Sequence, residues 1–261
     1  MNIFRPSIKL VLPALMLNTF FVSAQKLPNV QTASIYAPTD IKINGNTNEW
    51  NNKFQAYNKA VEIYYTLSND DKNLYLTAKA KEREIIDKII RGGISLIISR
   101  ENDKKSKNTL SVTYPVLEGP AMWEVADKFA RQSINYKNKE TLNINDLNTA
   151  FAKREKLIGV TGVAAIPDSA ISVYNSDGIK TAFLFDDKLT YTYELAVPIK
   201  YLNLPGNSGG KFSYQIKINP DPGFKKPIVI TANMPPPPPP VMEGTLATTD
   251  FKGRYTLAKK P

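Results

Sequence analysis

Val61-Glu62-Ile63-Tyr64-Tyr65-Thr66-Leu67, then Ser68-Asn69-Asp70-Asp71-Lys72-Asn73, then Leu74-Tyr75-Leu76-Thr77-Ala78-Lys79 reads as two strands joined by a turn. Val61, Ile63, Tyr65 and Leu67 alternate with Glu62, Tyr64 and Thr66. Successive side chains of an extended chain point to opposite faces, so the alternation describes a strand with one face in the core. Leu74, Leu76 and Ala78 repeat the pattern against Tyr75, Thr77 and Lys79. The six residues between them are rich in turn formers, whose short polar side chains can bond turn backbone. The stretch predicts a β-hairpin, and hence an antiparallel sheet.

The period of two recurs outward from this hairpin. Leu189, Tyr191, Tyr193, Leu195 and Val197 share one face of a strand that Pro198 ends. Phe212, Tyr214, Ile216 and Ile218 share a face of another, opened by Gly209-Gly210. Residues 227–232 form a β-branched run, and Arg254-Tyr255-Thr256-Leu257 reads as a closing strand. Ile94 to Ile98 is apolar on both faces, the signature of a central, buried strand. Helical spacing appears in three places. Ile85, Ile86, Ile89 and Ile90 form a stripe stopped by Gly92-Gly93. Met122, Val125 and Phe129 follow Pro120, and Leu147, Ala150, Phe151 and Arg154 follow Asn145 as expected N-cap. Many strands, few helices and no βαβ rhythm predict a mostly β protein. The expected fold is an antiparallel immunoglobulin-like or jelly-roll-type β-sandwich with a few short helices in its connections, one domain over residues 25–261.

The 261 residues carry 34 Lys+Arg against 24 Asp+Glu, a formal charge of +10, with no histidine and no cysteine. Those two zeros exclude disulfides, thiolate nucleophiles, zinc fingers, histidine triads and histidine-ligated haem. Residues 1–24 read as a signal peptide: Arg5 and Lys9 precede an apolar run from Leu10 to Val22, and Ser23-Ala24 precedes the expected cleavage before Gln25. That run is about 13 residues, short of the roughly 20 a spanning helix needs. The expected address is exported, periplasmic or extracellular. Losing Arg5 and Lys9 lowers the charge by two. The densest basic stretch, Lys104-Lys105-Ser106-Lys107, lies between strand-like segments and shows no aromatic interleaving, so nucleic acid is not the expected partner. Six prolines, Pro235 to Pro240, make a stiff rod about 19 Å long at 3.1 Å per residue. It reads either as a projecting loop or as a docking element for an envelope protein partner.

Four segments together resemble the family 9 carbohydrate-binding modules and related DOMON-like sandwiches. Ile41-Lys42-Ile43-Asn44-Gly45-Asn46-Thr47-Asn48-Glu49-Trp50 is similar to the family's opening motif, with Asn44 and Asn48 where the family has Asp. Tyr64 to Leu76 resembles its second strand pair. Tyr193-Glu194-Leu195-Ala196-Val197-Pro198-Ile199 is similar to a late strand, and Gly210 to Asn219 falls where the next strand belongs. Gly45 suits a turn with positive φ, Glu49 is placed to bond backbone donors, and Trp50 to close the core edge.

The resemblance implies an exported, non-catalytic protein that binds a saccharide on aromatic side chains. The chain has two tryptophans, and Trp50 is assigned to the fold. Trp123 is therefore the candidate platform, with Tyr114 and Glu124 as further candidate ligand residues and Glu118 close by. Packing of a helix against the sandwich is the competing role for Trp123. Family members often bind calcium, and Asp70-Asp71 and Asp186-Asp187 are the candidate oxygen pairs, although both also read as plain turns. No catalytic motif is found. A glycosidase would need two carboxylates across a cleft, a separation that sequence spacing does not test.

Overall fold

The computed structural model describes residues 26–99, 109–117, 119–204, 209–222 and 247–261. Residues 1–24, expected to be a signal peptide, Lys104–Lys107, Glu118, the 227–232 run and the proline rod lie outside the described residues.

The expected β-sandwich is what the chain forms. The hairpin is β2 (Ile63–Asn69) and β3 (Asn73–Ala80). A short edge strand, β1 (Ala56–Asn58), precedes them. The second sheet takes β4 (Ile94–Ser99), β5 (Leu110–Tyr114), β6 (Leu157–Thr161) and β7 (Ala170–Ser172). The chain then returns through β8 (Lys180–Phe185) and β9 (Tyr191–Pro198), and closes with β10 (Lys211–Ile218) and β11 (Thr249–Thr256). One sheet has the order β1-β2-β3-β9-β8 and the other β11-β10-β4-β5-β6-β7, with every pairing antiparallel.

Register decides which side chains meet. Tyr65 stands opposite Ala78, and Ala78 opposite Tyr193, all facing inward. Between the sheets the Tyr65 hydroxyl lies 2.9 Å from that of Tyr214, and the Tyr114 and Tyr193 rings stack with centroids 5.7 Å apart. Burial of such rings supplies the apolar area that drives the two sheets together.

The helices are α1 (Arg83–Gly92), α2 (Gly119–Lys137) and α3 (Ile144–Arg154). α1 buries Ile86, Ile89 and Ile90 and ends as the glycines predict, with the Gly93 amide donating to the Ile89 carbonyl. α3 starts two residues earlier than expected: Asn143, not Asn145, caps it by accepting from the Asp146 amide. Phe151 of α3 packs on Phe183, Phe185 and Tyr191, seating the helix against the β8 side of the first sheet.

The first sheet is covered on its outer face as well, over part of its area. Residues 28–35 run along the edge at β1 and β2, and residues 37–50 cross the outer face as an arm. The Gln31 side chain accepts from the Leu67 amide and donates to the Leu67 carbonyl, filling the edge that β1 leaves open. Ile41, Ile43 and Trp50 pack on Tyr75, Ala196 and Ala37, so Trp50 closes this outer layer and not the main core. Glu49 does not take the expected role either. Glu194 of β9 accepts from the amides of Asn44 and Gly45, both at 2.9 Å, while Glu49 Oε2 is buried without a partner. Burial pushes the Glu194 carboxyl up to about 7, with Glu49 raising it further and the two amide bonds opposing.

Two expectations follow. Gly45 has φ +80°, and a Cβ there would sit 2.4 Å from the Phe183 carbonyl carbon and oxygen. Gly45→Ala should cost about 2–4 kcal/mol, read as a lowered denaturant midpoint. Folded Glu194 holds its proton more tightly than the unfolded chain, whose ordinary value is 4.5, so stability should fall as pH rises from there towards about 7. The loss is on the order of 3 kcal/mol for this group. Denaturation of wild type and Glu194→Gln at pH 5 and pH 8 checks it: the glutamine keeps an acceptor for both amides and should show the smaller decline. The slope it retains belongs to Glu155 and Asp87, whose carboxyls burial also raises.

Candidate functional site

α2 turns Met122, Val125, Ala126 and Phe129 into the protein. One residue along a helix is a rotation of about 100°, so Trp123 leaves the stripe that Met122 occupies. It is 41% exposed. Its ring borders a cleft of about 400 Å³, lined also by Met122, Leu117, Pro115, Thr113 and Pro222, with Arg91 from the end of α1. The Arg91 side chain is only 3% exposed, with Nε 2.9 Å from Asp87 Oδ2 and a terminal nitrogen 3.4 Å from Asp221 Oδ2. Burial raises the Asp87 carboxyl, opposed by its hydrogen bond from Arg91. A buried guanidinium between two carboxylates is held rigidly, because losing either partner would strand a charge out of water. The cleft thus combines one open aromatic face with apolar walls and a fixed ionic group beside them.

The other two candidate residues do not complete this surface. Glu124 follows Trp123 directly, and neighbours one apart on a helix do not face each other. Its carboxylate accepts from Arg154 Nε at 2.8 Å and ties α2 to α3. Tyr114 is 3% exposed and points between the sheets, where Leu110 and Val112 of the same strand also point. The pairing of Trp123 with Tyr114 is therefore corrected: the strand's alternation puts that ring in the core, stacked on Tyr193.

Tyr114 has polar company inside. Glu155, just past α3, is buried beside the Tyr114 hydroxyl, and the Tyr191 and Tyr193 hydroxyls are buried without partners. Burial drives the Glu155 carboxyl far above the usual carboxylate range. A protonated acid among hydroxyls is the cheapest state for such a cluster, since an unpaired charge there would cost several kcal/mol more.

The acidic turns are occupied by their own backbone. Asp70 Oδ1 accepts from the amides of Lys72 and Asn73, and Oδ2 from the Tyr75 hydroxyl. Burial works against ionisation there, and these bonds outweigh it to hold the carboxyl below its ordinary value. Asp186 Oδ1 accepts from the amides of Lys188 and Thr190. Among the described residues, no group of three or more acidic side chains converges to hold a metal ion.

A second concave surface escaped the sequence reading. On the open part of the first sheet's outer face, a cleft of about 680 Å³ is lined by Phe54, Tyr64, Lys53, Lys79, Lys81 and Gln55. The alternation around Tyr64 and Lys79 marked both as outward, but not that Phe54 and Tyr57 would come beside them. A third depression, about 600 Å³, lies along residues 160–169 beside Lys200 and Tyr201 and has one aromatic side chain on its wall.

No protein-family model matches the chain, and no curated protein matches it. Among solved structures it is similar to a crystal structure described as a "putative carbohydrate-binding protein" from Bacteroides uniformis ATCC 8492. The similarity covers 89% of this chain and 93% of that one, at a TM-score of 0.39 and 8% identity.

Proposed function

We propose that this is an exported, non-catalytic binding protein whose ligand is a saccharide, held in the Trp123 cleft. The observation that carries the reading is the exposed indole at the border of a cleft of about 400 Å³, a size suited to one or two sugar rings. Sugar C–H groups pack on an aromatic face, and the Thr113 hydroxyl on the lining, bonded to that of Ser95 at 2.6 Å, has a second lone pair for a sugar hydroxyl. The non-catalytic part rests on the absence of histidine and cysteine and on the pairing of Glu124 with Arg154, which takes up the carboxylate nearest in sequence to the indole. The export part rests on residues 1–24. No described helix is long and apolar enough to cross a membrane.

A screen of uncharged glycans against the protein, followed by calorimetry on the best ligand, tests this. Trp123→Ala should weaken binding at least tenfold, about 1.4 kcal/mol, with the melting temperature little changed because much of the indole lies outside the core. Failure of every glycan to bind, or equal affinity of the variant, would overturn the proposal.

A further inference from the structure

We propose that the outer face of the first sheet carries a second site, separate from Trp123, which binds an acidic saccharide. The required chemistry is a pyranose ring bearing a carboxylate or sulfate.

The site is built by register. Tyr57 of β1 pairs with Tyr64 of β2, and Tyr64 with Lys79 of β3, and all three point away from the core because Ile63 and Tyr65 point into it. The Tyr57 and Tyr64 rings lie 4.6 Å apart at 46°, and Phe54 stands 6.0 Å from Tyr64 at 51°. Phe54 and Tyr64 line the cleft, and Tyr57 backs Tyr64 from outside that lining. Over it sit two ammonium groups: Lys79 Nζ is 5.5 Å from the Phe54 ring centre and Lys81 Nζ 4.6 Å from that of Tyr64. Lys53 stands on the same lining, and no carboxylate does.

The charge is what selects the ligand. Among the described residues none of these three lysines forms an ion pair. Lys79 is half-buried, and the withdrawal from water lowers the affinity of its amine for the proton, with Asp186 acting the other way. A partly desolvated cation with no partner gains more from an incoming anion than one in open water does. The rings select the rest. Tilted by 46° and 51°, they make a concave surface that suits a puckered ring with projecting C–H groups. Successive parallel platforms, which stacked nucleic-acid bases need, are not what this geometry offers. The volume of about 680 Å³ admits two or three sugar units.

Affinity electrophoresis of the full chain through gels containing polygalacturonate, dextran sulfate or uncharged dextran tests the site, with oligothymidylate as a competing polyanion. Retardation by polygalacturonate or by dextran sulfate, with none by dextran, is expected, and the stronger of the two names the acid. Lys79→Ala/Lys81→Ala should cut the retardation at least tenfold. Because Lys79 is half-buried, the exposed pair Lys53→Gln/Lys81→Gln provides a second variant with no core contact, expected to lose at least threefold. Lys137→Ala/Lys139→Ala, which removes the same charge at the end of α2, should change nothing. Trp123→Ala should leave this binding intact, so failure of the Trp123 cleft and failure of this site are read separately. Equal losses in both double-alanine variants would show mere attraction to a basic protein and overturn the proposal. So would retention by dextran, tighter binding of oligothymidylate, or no loss in either cradle variant.

Discussion

Glu194 faces a demand that arranges much of the molecule around it. It stands on β9, next to the central strand of the five-stranded sheet, and points away from the main core, yet it is fully buried. A carboxyl in that position needs donors. The donors are the amides of Asn44 and Gly45, supplied by an arm that crosses the outer face of the sheet. The arm reaches that close only because residue 45 has no Cβ, which would meet the Phe183 carbonyl. One polar contact therefore ties the N-terminal segment, the β8–β9 pair and the outer apolar layer of Ile41, Ile43 and Trp50 into one unit. A sandwich would ordinarily leave such a face to water. Here β9 is buried along nearly its whole length.

Where the arm stops is as consequential as where it binds. After Trp50 the chain reverses through Asn51 and Asn52, both left-handed at φ 50° and 55°, a conformation asparagine tolerates better than most residues. The Asn52 amide donates back to the Thr47 carbonyl, closing the turn. The chain then runs through Lys53, Phe54 and Gln55 into β1, so the covered half of the face ends in a wall. The uncovered half, with Tyr64 and Lys79, becomes the floor beside that wall. The lysine-lined cleft is thus a product of the same covering that buries Glu194.

The fold was legible where neighbours in sequence are neighbours in structure. The Val61 to Lys79 alternation yields β2 and β3, and the isoleucine stripe before Gly92-Gly93 yields α1, because each signal is local. Trp123 was legible as an aromatic candidate, and its exposure is explained by the rotation that sets it beside Met122's stripe. Tyr114 is near Trp123 in sequence but shares no surface with it, because it stands on a strand whose own period sets its direction. The alternation Leu110, Val112, Tyr114 already points it inward. Glu194 and the arm were illegible for a different reason. The partners are about 150 residues apart, and nothing in Asn44-Gly45 names its acceptor. Glu155 carries no local mark of burial at all.

The two clefts differ in how their cations are employed, and that difference separates their chemistry. Beside Trp123, Arg91 is bonded to Asp87 and Asp221, and Arg154 to Glu124. Little positive charge is left there to draw an anion, so recognition falls to the indole face and the dipoles of the rim, which suits an uncharged sugar. In the other cleft the lysines lie over aromatic rings, a contact worth about 0.5–1 kcal/mol at exposed sites. That is weaker than a charge-assisted hydrogen bond to an anion, at about 1.5–3 kcal/mol. The rings hold the ammonium groups in place without satisfying them, and an incoming acid can displace that contact at a net gain. Neutralised arginines on one side and unsatisfied lysines on the other are the reason the ligand proposed for the first surface is a neutral sugar and that for the second an acidic one.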